Sequence, residues 1–307
     1  MKINVVENIK DAKLITHAGT FHADEVFATI VLNYALDDEK INLSRVLDIE
    51  NAKEDAIIYD IGGGKFDHHQ KGGNGIRKDG VPYASFGLIW KEYGRKCLEN
   101  LNVEKEVIND SLEMIDKKLI EAIDAIDNGE LSLIAKPKID VNTISDLIGK
   151  FNSNWDEDET QNNRFLEAIE FADKIFIRTV RSIESKLKAR SYIEEAIKKS
   201  ENDILVLDTF MPWKEWLLYS KNKKAKDILY VVYKSNREGY SVQAVPKGLN
   251  TFENRKSLPK EWSGLRGKDF KKKTGVKTAT FCHNACFICG AEEKEDAIKL
   301  AKIAVES

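Results

Sequence analysis

The chain has 307 residues, 42% hydrophobic and 32% charged, with a formal net charge of −3. That length admits two domains or one large one around a full core, and the composition excludes a disordered or membrane-embedded chain. The small negative charge excludes a protein that coats nucleic acid by bulk electrostatics, though not one with a local basic groove.

In chain order, "AKLITHAG" is a short apolar run ending at His17, and "ADEVFATIVLNYAL" has helical spacing through Val26, Ile30 and Ala35. "DAIIYDIGGG" is a second short run that stops at Asp60 before three glycines. "YASFGLIWKEYG" predicts a helix capped by Ser85 and ended by Gly94. Strands alternating with helices imply an α/β domain whose parallel sheet carries helices on both faces. In such sheets functional groups gather at the carboxyl ends of strands, where His17 and Asp60 stand. Residues 111–128 predict a helix with Ile115, Leu119, Ala122, Ile123 and Ile126 on one face and Asp127 at its edge. A carboxylate turned inward there needs a partner.

The acidic stretch "NSNWDEDETQNN" predicts a loop. Beyond it Phe165, Ile169, Ala172, Phe176, Val180, Ile183 and Leu187 step by threes and fours, as one long helix or two nearly continuous ones. "DILVLD", "DILYVVYK" and "YSVQAVP" predict strands of a second sheet, and "KEDAIKLAKIAVE" closes the chain as an amphipathic helix. No apolar run approaches the ~20 residues of a membrane span, and the N-terminus lacks the apolar core of a secretion signal. The cytoplasm is therefore the expected compartment. Cys97 stands far from Cys282, Cys286 and Cys289, so the four cysteines read as reduced thiols.

Residues able to hold a cation gather at element ends: His17, His22 and Asp24 in "HAGTFHADE", Asp60, then Asp67, His68 and His69 in "FDHHQ", and Asp127 in "AIDNG". Imidazole with carboxylate suits Mn, Fe, Zn or Co better than Ca or Mg. Two cations about 3.5–4 Å apart need one bridging carboxylate and several terminal ligands, which this set supplies. Without a cation, burying so many ionisable groups is costly.

The DHH tripeptide behind a strand-end aspartate resembles the DHH phosphoesterase superfamily. Within it, "THAGTFHADE", "DIGGGKFDHHQ", "GVPYASFGLIW", "AIDAIDNG", "MPWKEWL", "VQAVP", "LPKEWSGLRG" and "FCHNACFICG" are similar, in order, to the Myg exonuclease family over nearly the whole chain. That resemblance implies a metal-dependent phosphodiester hydrolase, a 3′-to-5′ exoribonuclease with two divalent ions, Mn²⁺ first and Mg²⁺, Co²⁺ or Zn²⁺ after it. It implies a catalytic domain over residues 1–160, a connecting helical segment over 161–203 and a smaller α/β substrate-binding domain over 204–307. His17 and His22 would bind the first ion, Asp24, His68 and Asp127 the second, and Asp60 both. Asp124 is the alternative helical ligand. His69 would face the phosphate and Asp67 would orient a neighbouring histidine. His22 stands where the wider superfamily usually has aspartate.

The substrate side falls in the second half. Between Arg255 and Lys277 nine basic residues stand against Glu261 and Asp269, either a solvated face or a phosphate groove. By resemblance Arg266, His283, Gly264 and Gly267 are the phosphate-binding candidates, with Trp262 a candidate for base stacking. RNA or a short oligonucleotide is the implied partner, and a homodimer is compatible with the pattern. Rival readings are a small-nucleotide phosphatase or pyrophosphatase and a metal-binding protein without turnover. "CHNACFIC" also fits a CxxxCxxC pattern that can hold an iron–sulfur cluster, though its place near the chain end disfavours that.

Overall fold

A computed structural model of the chain describes residues 2–130 and 141–307. The chain divides into two compact units, Met1–Ser185 and Lys186–Ser307. Among the described residues no helix is long and apolar enough to cross a membrane.

The first unit is built on a parallel sheet of four strands, β1 (Ile3–Val5), β2 (Leu14–His17), β3 (Ile41–Val46) and β4 (Ile57–Ile58), in the order β1-β3-β2-β4. Leu14 pairs with Leu43 on one side and Ile57 on the other, which makes β2 an interior strand. Its Leu14, Ile15 and Thr16 are wholly buried, the continuous apolar run of a strand covered on both faces. Helix α1 (Ala23–Ala35) carries the chain from β2 to β3, and every residue in it except Tyr34 is buried. A helix apolar on all sides has to lie inside. That burial carries Asp24 and Glu25, in its first turn, into the interior.

Helix α2 (Ser85–Asn100) departs from expectation at both ends. Ser85 is its first helical residue and Ala84 its cap position. The capping task falls to Asp24, whose Oδ2 and Oδ1 accept the Ser85 and Phe86 N–H at 2.9 and 2.8 Å. Gly94 lies mid-helix because the Trp90 ring occupies the place of a side chain: a Cβ there would sit 2.7 Å from the indole.

The helix expected over 111–128 is three pieces: α3 (Ile108–Ile115), a π turn over Asp116–Ile120, and α4 (Glu121–Asp127). A π turn inserts one residue into the helical register, so the inward face rotates. Ile120, Ile123 and Asp124 are buried, whereas Ala122, expected inside, is exposed and Ile126 only half-buried. A short helix α5 (Ile144–Gly149) follows, then α6 (Gln161–Lys199), a single helix of 39 residues. All seven apolar positions predicted along α6 are buried, and the division between the units falls within it.

The second unit holds a five-stranded mixed sheet of β5 (Ile204–Leu207), β6 (Tyr230–Lys234), β7 (Tyr240–Ala244), β8 (Ala279–Cys282) and β9 (Ile288–Ala291), ordered β5-β6-β7-β9-β8. Only the β5–β6 pair is parallel. Alternation along β6 sorts the core: Tyr230 and Val232 join one apolar cluster, Val231 and Tyr233 the other. Helix α9 (Lys294–Glu306) covers the first through Leu300 and Ala304, with α8 (Gly267–Thr274) adding Phe270. The end of α6 and α7 (Trp213–Leu218) cover the second through Ile193, Ile197 and Trp213. Each large apolar side chain so buried contributes roughly 1.5–3 kcal/mol.

Candidate active site

Strand β2 ends at His17 and β4 leads into Asp60, so both reach the same edge of the first sheet. Asp60 takes φ +60°, a left-handed conformation few non-glycine residues adopt. Its carboxylate is 3% exposed and divides its oxygens. Oδ1 lies 3.4 Å from His68 Nδ1 and 3.3 Å from His69 Nδ1 and accepts the Ser85 hydroxyl at 3.1 Å. Oδ2 faces His17 Nε2 at 3.3 Å and is otherwise a buried atom with no hydrogen bond.

Asp60 forms one ligand cluster with Asp67, His68 and His69, and two further clusters meet at its carboxylate. In one, Asp24, Asp60, His68 and Asp127 present ligand atoms within 4.8 Å of one another. Here His68 Nε2 lies 3.0 Å from Asp127 Oδ2, and Asp24 is wholly buried. Burial, then the charges of Asp60, Asp127 and Asp124, raise the Asp24 pKa well above the ordinary carboxylate value. In the second, His17, His22 and Glu25 converge, with His17 Nε2 2.8 Å from Glu25 Oε1. Burial opposes charge on His17, but hydrogen bonds to Asp60 and Glu25 prevail and raise its pKa to about 10. His22 is exposed, and its backbone N–H donates to the Glu25 carboxylate at 3.0 and 3.1 Å.

Asp67, His68 and His69 occupy three different settings. Asp67 is 2% exposed and accepts the N–H of Gly63 at 2.6 Å and of His69 at 2.9 Å. Although burial opposes it, these bonds lower the Asp67 pKa. Its Oδ1 also lies 3.1 Å from His69 Nδ1, which turns the other ring nitrogen of His69 outward. His68 is buried between Asp60 and Asp127.

Asp124 is drawn away from the clusters. Its Oδ2 lies 2.7 Å from Arg77 Nη2 and its Oδ1 accepts the Gly87 N–H at 3.1 Å, while Arg77 also pairs with Asp116 at 2.6 Å. Of the two helical candidates only Asp127 touches His68.

Glu25 was not among the sequence candidates, although wholly buried and in contact with His17. Its signal was there: an acid three residues after a helix cap position forms a capping box. Ser85 was expected to cap α2 and instead donates to Asp60.

A divalent cation fits these residues. Three carboxylates packed together with histidine, one carrying a buried oxygen that faces only His17, form a donor set whose mutual repulsion a cation offsets. The mixture of nitrogen and oxygen suits a borderline metal.

In the second unit the "GLRG" loop lies against the β8–β9 hairpin. Gly264 has φ +72°, and a Cβ on it would come 2.6 Å from Asn284 Oδ1. Arg266 occupies the cap position of α8, and its exposed side chain forms no ion pair among the described residues. Gly267 begins the helix with φ +49°. His283 is exposed, its Nδ1 accepting the Ala285 N–H at 3.1 Å. Two members of the basic run are spent internally: Arg255 donates to the carbonyls of Ala225, Lys226 and Ile228, and Lys256 to that of Val305.

Trp262 offers no face for a base, since it is 3% exposed and packs edge-on against Phe270. The cysteine pattern serves the core. Cys282 pairs with Cys289 across the β8–β9 ladder, and both join Cys286 in the apolar cluster. Burial pushes the Cys282 thiol up to about 12 and Cys289 well above its ordinary value.

A sequence model of the MYG1_exonuc family, described as "Uncharacterised protein family (UPF0160)", matches residues 13–305. The chain is 32% identical to the MYG1 protein C27H6.8 of Caenorhabditis elegans, over 95% of this chain and 94% of that one. It is 32% identical to the MYG1 protein YER156C of Saccharomyces cerevisiae, over 99% and 100%. It is 28% identical to the MYG1 exonuclease of Mus musculus, over 94% and 83%. No solved structure matches. On a match that spans nearly all its length, the chain belongs to the MYG1 family, UPF0160.

Proposed function

We propose that this chain is a metal-dependent phosphodiester hydrolase, a 3′-to-5′ exonuclease acting on RNA in the cytoplasm. The observation that carries this reading is the position of Asp60, whose two oxygens face two different ligand clusters. The name exonuclease borne by the mouse, rat and human relatives supports it. Its four cysteines, free thiols, accord with a reducing compartment.

In this reading Asp24, His68 and Asp127 would hold one divalent ion, and His17 and His22 the other, with Glu25 beside His17. Asp60 would offer an oxygen to each. Mn²⁺ is the first choice for both. Such ions, when bound, polarise phosphate oxygens and acidify water. The protein's own part is to hold the ligands in place and supply protons.

Asp67 fixes the His69 ring through Nδ1, leaving Nε2, without a partner among the described residues, to donate to a phosphate oxygen or to the leaving oxygen. Water adds to phosphorus, the ester P–O bond breaks, and the departing oxygen takes a proton. Residues 1–160 supply this chemistry, 161–203 connect, and 204–307 bind substrate. In that last part Arg266, His283 and the backbone at Gly264 and Gly267 bind phosphate, because an arginine fork pairs bidentately with its oxygens.

The test is incubation of purified protein with Mn²⁺ and an end-labelled RNA oligomer, with mononucleotides in parallel. Stepwise shortening from the 3′ end is expected. Phosphate release from mononucleotides without RNA shortening would instead indicate a phosphatase.

A further inference from the structure

Two sequence motifs take no part in the chemistry above, "MPWKEWL" and "VQAVP". They meet in the second unit around a groove of about 470 Å³, within the range of about 300–1,000 Å³ usual for small-ligand sites. We propose that this groove is a subsite for one unpaired nucleobase and its phosphate in a single-stranded nucleic acid, a proposal that rests on the nuclease reading above.

Three features of the lining match three parts of a nucleotide. The first is an aromatic face. Phe210 is 43% exposed, and its ring stands edge-on to Tyr233 with centroids 5.3 Å apart and planes at 63°. It is thereby braced while remaining open to solvent, as a stacking platform requires. Leu249, also 43% exposed, lines the same groove.

The second is a directed hydrogen-bond donor. Gln243 on β7 accepts the Tyr233 O–H through Oε1 at 2.8 Å, which sets the amide plane. Its Nε2 has no partner among the described residues and is available to an acceptor on a base edge. Burial raises the Tyr233 pKa, so its hydroxyl keeps the proton it donates.

The third is a single uncompensated charge. Lys186, which also lines the groove, is held by Glu215. Lys214 is exposed and forms no ion pair among the described residues, which leaves one net cation at the rim for one phosphate.

The experiment measures binding of a short fluorescein-labelled single-stranded RNA to the full chain by anisotropy, in EDTA so that cleavage is suppressed. An otherwise identical strand carrying abasic sites is measured beside it. Phe210→Leu, which keeps the apolar volume and removes the aromatic face, is expected to weaken binding of the base-bearing strand roughly tenfold or more. Phe210→Trp should restore it, and the abasic strand should bind both variants alike. Equal affinity of wild type and Phe210→Leu for the base-bearing strand overturns the proposal, as does no binding by wild type. A separate arm follows hydrolysis of bis(p-nitrophenyl) phosphate by wild type with Mn²⁺. Failure there removes the catalytic reading while the EDTA binding data still decide the subsite.

Discussion

Asp60→Asn separates a bridging ligand from a structural aspartate. Asparagine matches aspartate in size, tolerates φ +60° and keeps an acceptor for the Ser85 hydroxyl, so the change removes charge and little else. The side of Oδ2, facing His17, loses its oxygen, and the side of Oδ1, facing His68 and His69, keeps only a neutral amide oxygen in place of a carboxylate oxygen. An ion that binds only the folded state at a hundred times its Kd adds about 2.7 kcal/mol. For a unit of this size that is a rise in melting temperature of roughly 5–10 °C. Wild type should show it on addition of Mn²⁺ and the variant should not, while Mn²⁺-dependent hydrolysis falls by more than about 100-fold. Without metal the change has opposing effects, relieving the repulsion that raises the Asp24 pKa and removing the pairing that raises the His17 pKa, so the metal-induced shift is the readout. Differential scanning fluorimetry with and without Mn²⁺, beside an activity assay, gives both readouts. A variant that retains the wild-type metal shift and turnover would refute the bridging role.

Gly87→Ala should destabilise the protein by about 1–3 kcal/mol through overpacking, because the new Cβ would lie 2.0 Å from Asp124 Oδ2 and 2.8 Å from Arg77 Nη2; an unchanged urea midpoint would contradict that packing. Arg77→Met leaves buried Asp124 without its cation and should cost about 3–5 kcal/mol, part of which Asp124→Asn in the same chain should recover in urea unfolding. All four cysteines are buried, so Ellman's reagent should label them only after denaturant is added. Anaerobically purified protein should contain no stoichiometric acid-labile sulfide, whose presence would restore the cluster assignment for Cys282, Cys286 and Cys289.

The α/β class, the strand-end positions of His17 and Asp60, and the long helix through Phe165 and Leu187 could all be taken from hydrophobic periodicity, because each depends on spacing within a few turns. The gathering of histidines and carboxylates could likewise be anticipated from residue types clustered in short motifs. Other features needed chain segments far apart in sequence. Asp24 caps α2 across 61 positions, and this long-range bond displaced Ser85 from the cap and turned its hydroxyl toward Asp60. The choice between Asp124 and Asp127 was open in the sequence, since both lie on one helix within a turn of each other. In the structure Asp124 is held by Arg77, while Asp127 lies beside His68. Trp262 and Phe210 make the same point at the surface. Local sequence determined that both are aromatic, but only the packing of the second sheet buried one ring against Phe270 and left the other open.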